Sequence, residues 1–245
     1  MIGAFRRVTV RRMSTKGRGL DELLALGDAI VARATKGGAT VAECIVRSGA
    51  ELSAKVRLGE PELVEEAGHH AAGLRVMKGK RVASTSTSDL SEAGIARFVS
   101  DALELVELSQ EDPFAGPADE PPMNPDDALE LDLFDPKGGG VNAAQAIETA
   151  RIGEKAAQDF DKRISNSEGA TFGRTAGGAA IVLSSGFRAA YKGSYSSLSV
   201  VPVAEDDGGK KRRGYHWTAK RFLDELEDPK KVGEEAARRT LRKLG

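Results

Sequence analysis

The sequence predicts an α+β fold of two small antiparallel-sheet domains, each flanked by helices, with a Pro-rich acidic connection between them. Three observations lead to this prediction. Segments with apolar residues at helical spacing stand beside short runs in which the apolar period is two. Gly, Ser and Asp clusters break those runs, as is typical of tight turns between antiparallel strands. Six of the nine prolines fall together near the middle of the chain. We therefore expect a basic, unstructured leader over 1–18, a first domain over 19–109, a connection over 110–136 and a second domain over 137–245.

The first domain is expected to open with a helix over 19–35, which ends at Gly37 and Gly38. From Ala39 the apolar period changes to two, and a small sheet of four or five strands follows. Its strands are expected up to residue 48 and then over 51–58, 62–67, 71–77 and 81–87, with turns at 48–50, 59–61 and 78–80. A helix with Asp89 or Ser91 as its N-cap closes the domain near residue 108.

The second domain is expected to begin with a helix over 141–160. Residues 163–205 follow as a β-meander, because they are rich in Ser, Thr and β-branched residues and hold six glycines, each costing about 1 kcal/mol inside a helix. A last strand over 210–219, a helical turn over 221–226 and a final helix over 230–244 complete the expected elements.

Composition excludes several functional classes. A net charge of -1 favours neither nucleic acid nor an anionic membrane, and no apolar run approaches the roughly 20 residues that span a bilayer. The basic leader lacks the apolar core of a secretory signal. The single cysteine, Cys44, excludes an internal disulfide and fits a reducing cytoplasm. The connection carries nine acidic residues and no Lys or Arg between Glu111 and Asp135, which favours an extended, solvated segment.

Residue chemistry offers no catalytic or metal site. His69 and His70 are adjacent, so on a strand they point to opposite faces and cannot bind one metal together. Cys44 is expected to be a buried, inert thiol. The sequence contains no HExxH or HExxxH motif, no G-x-S-x-G elbow and no phosphate-binding glycine loop. The basic run 210–213 directly follows acidic residues, which indicates a solvated hairpin loop rather than a nucleic-acid site.

Several motifs resemble one known family. Residues 73–91, GLRVMKGKRVASTSTSDLS, are similar to the G-x-R-V... G-x-x-A-S-T-S-D-L-S segment of the TldD/PmbA (TldE) family. The motifs SNSEGA (165–170), SGF (185–187) and YKGSYSSLS (191–199) resemble the signature of its PmbA branch, and residues 226–245 also fit. The resemblance covers roughly residues 20–245 and leaves out the basic leader.

The resemblance implies a cytoplasmic two-subunit peptidase. In this family the TldD subunit carries zinc on an HExxxH motif, whereas the PmbA/TldE subunit lacks zinc and completes the peptide cleft. Family chains continue beyond the point that matches Gly245 into a third domain, where the zinc motif of TldD lies. The resemblance therefore implies no cofactor in residues 1–245, zinc only in a TldD-type partner, and no peptide hydrolysis by this chain alone.

The leading hypothesis is the non-catalytic portion of a PmbA/TldE-like subunit, which docks on a TldD-type protease subunit and holds unfolded peptide on a sheet. The alternatives are the front part of a TldD-type zinc peptidase that lacks its metal domain, an independent zinc peptidase, and a stand-alone nucleic-acid-binding module. Neither a membrane nor, under the leading hypothesis, nucleic acid is an expected partner. Six residues are candidates for contact with peptide or partner: Arg75, Ser84, Thr85, Phe187, Tyr191 and Tyr195.

Overall fold

The computed structural model describes residues 18–118 and 131–245. The expected leader over 1–17 and the middle of the connection, 119–130, lie outside the described residues. The helices are α1 (Leu20–Lys36), α2 (Glu92–Leu108), α3 (Ala143–Phe160) and α4 (Pro229–Leu241). The strands are β1 (Val41–Arg57), β2 (Glu60–Lys78), β3 (Arg81–Thr87), β4 (Ile164–Leu183), β5 (Arg188–Glu205), β6 (Lys211–Arg213) and β7 (His216–Lys220).

The α+β class is confirmed, but the expectation of two separate sheets is wrong. The strands form one curled antiparallel sheet of seven strands in the order β3-β2-β1-β4-β5-β6, and β7 pairs with β5 beside β6. The two halves of the chain join where β1 pairs with β4 along fourteen residues, from Glu43 opposite Leu183 to Val56 opposite Ala170. One continuous sheet therefore runs through both halves.

The strands are much longer than the sequence predicts, because several glycines lie inside them rather than at turns. The expected turn at 48–50 is wrong: β1 runs straight through Gly49, which is paired with His69 on one side and Gly177 on the other. The separate strands expected over 62–67 and 71–77 are likewise one strand, β2. The expected last strand is interrupted at Gly214, which lies against the backbone of Thr240 in α4.

All four helices pack on the same face of the sheet and enclose two hydrophobic cores. Helices α1 and α2 cover the first core, with Leu23, Ile30 and Phe98 against the buried alternate residues of β1 to β3. Helices α3 and α4 cover the second core, around Phe172 and Leu198. Strands β1 and β4 contribute to both cores, so the opposite face of the sheet is left open. No helix in the described part of the chain is long and apolar enough to cross a membrane.

Cys44 lies in the first core, as predicted, and is fully buried. Burial raises the pKa of its thiol to about 12, so the thiolate needed for nucleophilic attack is not formed near neutral pH. The cysteine is a structural residue.

Helix α3 holds the hairpin between β1 and β2. Glu154 is 1% exposed, and its carboxylate oxygens accept hydrogen bonds from the N–H groups of Leu58 (2.9 Å) and Gly59 (2.8 Å). Arg151 Nε also donates to the carbonyl oxygen of Gly59, at 3.0 Å. A helix from the second half of the chain thus fixes a turn in the first half.

Asp135 anchors the end of the connection to the sheet. Its carboxylate accepts hydrogen bonds from the N–H groups of Leu223 (3.0 Å) and Lys137 (2.9 Å), and its own N–H donates to Ser194 Oγ at 2.8 Å. The side chain is buried. The hydrogen bond from Leu223 is the main cause that lowers the pKa of Asp135 below its ordinary value; burial opposes this shift, and the charge of Arg174 adds to it.

This lowered pKa gives a testable pH dependence. A carboxyl whose pKa is lower in the folded state contributes stability above its unfolded pKa of about 4 and loses that contribution as pH falls. Asp135→Asn is therefore expected to lower the free energy of unfolding by about 1–3 kcal/mol at neutral pH. The difference from the unchanged chain should shrink below about pH 4. Urea titrations followed by circular dichroism over this range check it, and a difference that stays constant with pH would contradict it.

Candidate functional site

The open face of the sheet carries a groove that crosses four strands. Its floor is a row of paired residues, His69, Gly49, Gly177 and Gly193, on β2, β1, β4 and β5. We call this row and its two neighbouring rows the glycine groove. One neighbouring row contains Arg47, Ala179 and Tyr191, and the other contains Glu51, Thr175 and Tyr195. At about 4.8 Å between strands, the floor spans roughly 14 Å.

At two of its glycines the floor leaves no room for a side chain, because neighbouring backbone atoms lie too close. A Cβ on Gly177 would lie 2.6 Å from the carbonyl oxygen of Ser48 and 2.8 Å from Gly49 Cα. A Cβ on Gly49 would lie 2.9 Å from the carbonyl oxygen of Ala176. Real side chains do not fit at these distances, so the two glycines permit the close approach of β1 and β4 in the curled sheet.

Two tyrosines form the walls of the groove on β5. Tyr191 and Tyr195 are 52% and 46% exposed, although they stand in the middle of a long strand. They lie two positions on either side of Gly193, which places their Cα atoms about 13 Å apart. The cavity between them has a volume of about 290 Å³. This width suits an extended chain segment with its side chains.

Two arginines and a histidine line the groove. Arg47, His69 and Arg221 all line the cavity. Among the described residues, neither Arg47 nor Arg221 has a carboxylate within ion-pair distance. Their guanidinium groups are therefore available to donate hydrogen bonds to carbonyl or carboxylate oxygens of a ligand.

The six candidate residues from the sequence fall in three places. Tyr191 and Tyr195 meet in the glycine groove. Arg75 and Ser84 are paired neighbours on the open face of β2 and β3, at the edge of a second, apolar depression of about 520 Å³.

The other two candidates do not lie in the groove, and the charge of Arg75 is paired. Thr85 is opposite the buried Leu74, so it belongs to the helix-covered face. Phe187 lies in the turn between β4 and β5. Arg75 forms an ion pair with Glu43, which neutralises it.

Sequence reasoning missed Arg47, His69, Thr175 and Arg221 as groove residues. The signal that could have found them is the spacing of glycines. Gly49, Gly177 and Gly193 each interrupt a run of residues with β-propensity, and side-chain-free positions inside strands indicate close approach of a backbone or ligand.

The described residues do not provide a zinc site. Within 18–118 and 131–245, no three His, Cys, Asp or Glu side chains come together in a way that could hold a metal ion. His69 and His70 are on opposite faces of β2, as their adjacency predicts. His216 lies 3.3 Å from Glu227, which is a single carboxylate contact.

Three of the four cations in the basic run at 210–213 are paired with neighbouring carboxylates. Lys211 pairs with Glu205 at 2.6 Å and Arg212 pairs with Asp206 at 2.8 Å. Arg213 pairs with Glu168 at 2.9 Å. A surface that binds the nucleic-acid backbone needs cations free to contact phosphates, and these three are already paired.

Comparison with known families matches both halves of the chain to one family. The PmbA/TldA metallopeptidase domain 1 matches residues 42–106, and the PmbA/TldA metallopeptidase central domain matches residues 136–244. The chain is 38% identical over 203 residues to the metalloprotease PmbA of Escherichia coli O157:H7, covering 83% of this chain and 44% of that protein. It is 36% identical over 213 residues to a PmbA homologue of Haemophilus influenzae, covering 86% of this chain and 46% of that protein.

Solved structures share the fold. A candidate modulator of DNA gyrase from Bacteroides thetaiotaomicron aligns with a TM-score of 0.83 at 25% identity, covering 92% of this chain and 51% of that one. TldE from Thermococcus kodakarensis aligns with a TM-score of 0.71 at 17% identity, covering 90% and 47%, a likeness of fold alone. The chain thus spans about half the length of the relatives it matches. It belongs to the PmbA/TldD metallopeptidase family, is PmbA-like, and carries the first and central domains of that family.

Proposed function

We propose that this chain is the substrate-holding and docking portion of a PmbA/TldE-like subunit, which acts in the cytoplasm with a TldD-type zinc peptidase. In this proposal the glycine groove holds an extended segment of an unfolded peptide, and the partner supplies zinc and the hydrolytic step. We expect residues 1–245 to bind no zinc and not to cleave peptides alone. The observation that carries the proposal is the floor of glycines between Tyr191 and Tyr195 on the open face.

The groove has the properties that binding of an extended main chain requires. Three of its four floor residues are glycines, so a peptide backbone can approach the sheet closely at Gly177 and Gly193, beside the imidazole of His69. Tyrosines bury a large area at a low cost in side-chain entropy and keep a hydroxyl for hydrogen bonding. Arg47 and Arg221 supply donors for peptide carbonyl or carboxylate oxygens. None of these contacts selects a particular side chain, which suits a subunit that handles unfolded segments of varied sequence.

The outer edge of β2 supports the docking part of the proposal. Strand β3 pairs only with residues 72–78 of β2, so the edge from Glu60 to Ala71 has no neighbouring strand among the described residues. All twelve residues of this edge are exposed. Free strand edges of this length pair readily with another chain. We assign this edge to contact with the partner subunit.

Association is tested with the TldD-type subunit from the same organism. The tagged chain, and a version extended beyond Gly245 to the length of its relatives, are each mixed with the purified partner and analysed by size-exclusion chromatography with light scattering. We expect a complex with the extended version and a weaker one with the 245-residue chain. If neither version associates with the partner, the docking part of the proposal is wrong.

The groove is tested by filling it. A Cβ on Gly193 would meet no atom closer than 3.8 Å, so Gly193→Val adds a β-branched side chain to the floor without an internal clash. We expect Gly193→Val to weaken binding of a dye-labelled unstructured peptide about tenfold, as measured by fluorescence anisotropy. The free energy of unfolding should change little.

The matched control is Gly73→Val. Gly73 also lies on the open face with no atom within 4 Å of a built Cβ, but it borders the apolar depression beside Arg75. The control should bind peptide like the unchanged chain. If Gly73→Val weakens binding and Gly193→Val does not, the peptide lies in the depression near Arg75 and Ser84 instead of the groove.

A further inference from the structure

A second cavity lies behind the glycine groove, on the helix-covered face of the sheet. It lies between the start of α1, at Arg18 and Gly19, and the segment 134–141 that precedes α3, and it has a volume of about 320 Å³. Four residues of the thin strip between the two cavities line both of them: Ser48, Ala176, Gly177 and Gly178. The proposed function assigns no role to the side chains on this rear face of the sheet.

Arg174 is the buried charge of this cavity. Its side chain is only 6% exposed, and Nη1 donates a hydrogen bond to Ser196 Oγ at 2.8 Å. Nη2 is buried and has no hydrogen-bond partner in the described parts of the chain. Burial lowers the pKa of Arg174, and the charge of Asp135 only partly opposes this shift.

Asp135 does not satisfy the guanidinium of Arg174. Its nearest carboxylate oxygen is 3.8 Å from Arg174 Nη1, which is too long for a hydrogen bond. The same oxygen, Oδ2, accepts the N–H of Leu223, and Oδ1 accepts the N–H of Lys137. The carboxylate is thus committed to the backbone, and Arg174 keeps an unused donor in a low-dielectric site. Such a donor is costly unless a further acceptor is present.

The N-terminus of α1 faces the same cavity. Arg18 and Gly19 belong to its lining, and the N-cap Gly19 has no side chain to cap the first turn of this 17-residue helix. The N-terminal end of a helix carries partial positive charge and free N–H groups. Lys192, also in the lining, adds a third positive group, with its ammonium 5.8 Å from the ring centre of Phe134.

The remaining lining indicates which anion fits. Glu66, on the rim opposite Leu52, and Glu51 also line the cavity, and their negative charges disfavour a dianion such as phosphate. Leu52, Phe134 and Val141 form apolar walls, which favour an organic ligand over an inorganic ion. The planar fork of a guanidinium matches the two oxygens of a carboxylate. We propose that this cavity binds the carboxylate of a small organic acid or of a peptide chain end, held by Arg174 and the N-terminus of α1.

The test compares butyrate with its neutral isostere butyramide, at matched ionic strength, on the 245-residue chain. We expect butyrate to raise the thermal unfolding midpoint in a saturable way and butyramide to have no such effect. Backbone amide NMR signals of Gly19, Ser48 and Ala176 should shift with the same dissociation constant. An equal response to the two probes overturns the proposal.

Two variants assign the effect to this cavity. Arg174→Lys should weaken butyrate binding about tenfold or more, because the ammonium cannot reproduce the fork. Glu66→Gln should tighten it about twofold to threefold at low salt, because it removes a like charge from the rim. Glu66 is exposed, so this variant is informative even if Arg174→Lys does not fold. Unchanged affinity in Glu66→Gln and in any folded Arg174→Lys overturns the assignment.

A final pair of probes separates the two sources of carboxylate. An acetylated tripeptide with a free carboxyl terminus and its amide are titrated in the same way. Tighter binding of the free acid than of butyrate assigns the cavity to peptide chain ends, and equal binding assigns it to small organic acids. If the amide binds as tightly as the free acid, a carboxylate is not what the cavity recognises.

Discussion

Replacing Glu154 with alanine is expected to lower the free energy of unfolding by about 3 kcal/mol. The carboxylate is 1% exposed and accepts both N–H groups of the β1–β2 turn, at 2.9 and 2.8 Å. Its removal leaves the N–H groups of Leu58 and Gly59 without their acceptor and opens a small cavity, and each of these costs about 1–3 kcal/mol. The turn depends on this support because Leu58 has a φ of 52°, a left-handed conformation that a Leu side chain disfavours. Urea unfolding followed by circular dichroism measures the loss.

Two further variants test the cause of this loss. Glu154→Gln keeps the volume and one acceptor oxygen, so it should cost about half as much as Glu154→Ala. Asp159 lies on the same helix in an exposed ion pair with Lys155, and Asp159→Ala should change stability by no more than about 0.5 kcal/mol. If Glu154→Ala costs no more than Asp159→Ala, the turn does not depend on the carboxylate.

Local signals in the sequence were sufficient for the helices and for two of the turns. Helix α2 begins after Ser91, whose hydroxyl accepts the N–H of Gly94. The turns at Gly59 and Gly79 have positive φ values of 83° and 60°, which is where glycine is required. The helical stripe, the N-cap and the glycine after a strand are all encoded within a few residues of each other. Sequence reading recovers such features without knowledge of the partner strands.

The joining of the two halves could not be read in this way. Strands β1 and β4 pair although more than one hundred residues separate them in sequence. No local feature of either strand identifies the strand with which it pairs. The sequence predicts a turn at Gly49, because glycine inside a run of alternating residues usually ends that run. In the structure it remains in the strand, since a neighbouring strand approaches too closely for a Cβ. The lack of a side chain thus permits a turn at Gly59 and close approach of a neighbouring strand at Gly49. Only tertiary contacts distinguish the two cases.

Only part of the candidate site could be predicted from the sequence, because long-range strand pairing assembles the rest. Tyr191 and Tyr195 were accessible to sequence reasoning because they share a strand and a motif. Arg47 and His69 join them only through pairing of β1, β2, β4 and β5, so no local pattern contains all four. No pattern in the sequence indicates Arg174 as a site residue. Its role is inferred from a buried guanidinium whose Nη2 has no hydrogen-bond acceptor in the described residues, and this is visible only in the folded structure. Long-range register thus decides which predicted residues belong to one site.

The curl of the sheet at the glycine groove rests on the absence of a side chain at Gly177. Strands β1 and β4 contact each other there so closely that a methyl group at Gly177 would lie 2.6 Å from the carbonyl oxygen of Ser48. The two nearest atoms, the carbonyl oxygen of Ser48 and the Cα of Gly49, belong to the backbone in the middle of a long paired strand. Neither can rotate away as a side chain would. The strands must separate or flatten to admit the methyl group, and either change alters the groove floor.

Gly177→Ala is accordingly expected to lower the free energy of unfolding by about 2–4 kcal/mol, the range for overpacking against rigid neighbours. Hydrogen exchange should accelerate at the paired amides of residues 48–50 and 176–178, because this part of the ladder opens first. The control is Gly73→Ala on the same face, where no atom lies within 4 Å of a built Cβ, and it should be neutral or stabilising by up to about 1 kcal/mol. Equal urea midpoints for the two variants would mean that the sheet relaxes at Gly177 without cost. The curl, and with it the shape of the groove, would then not depend on this glycine.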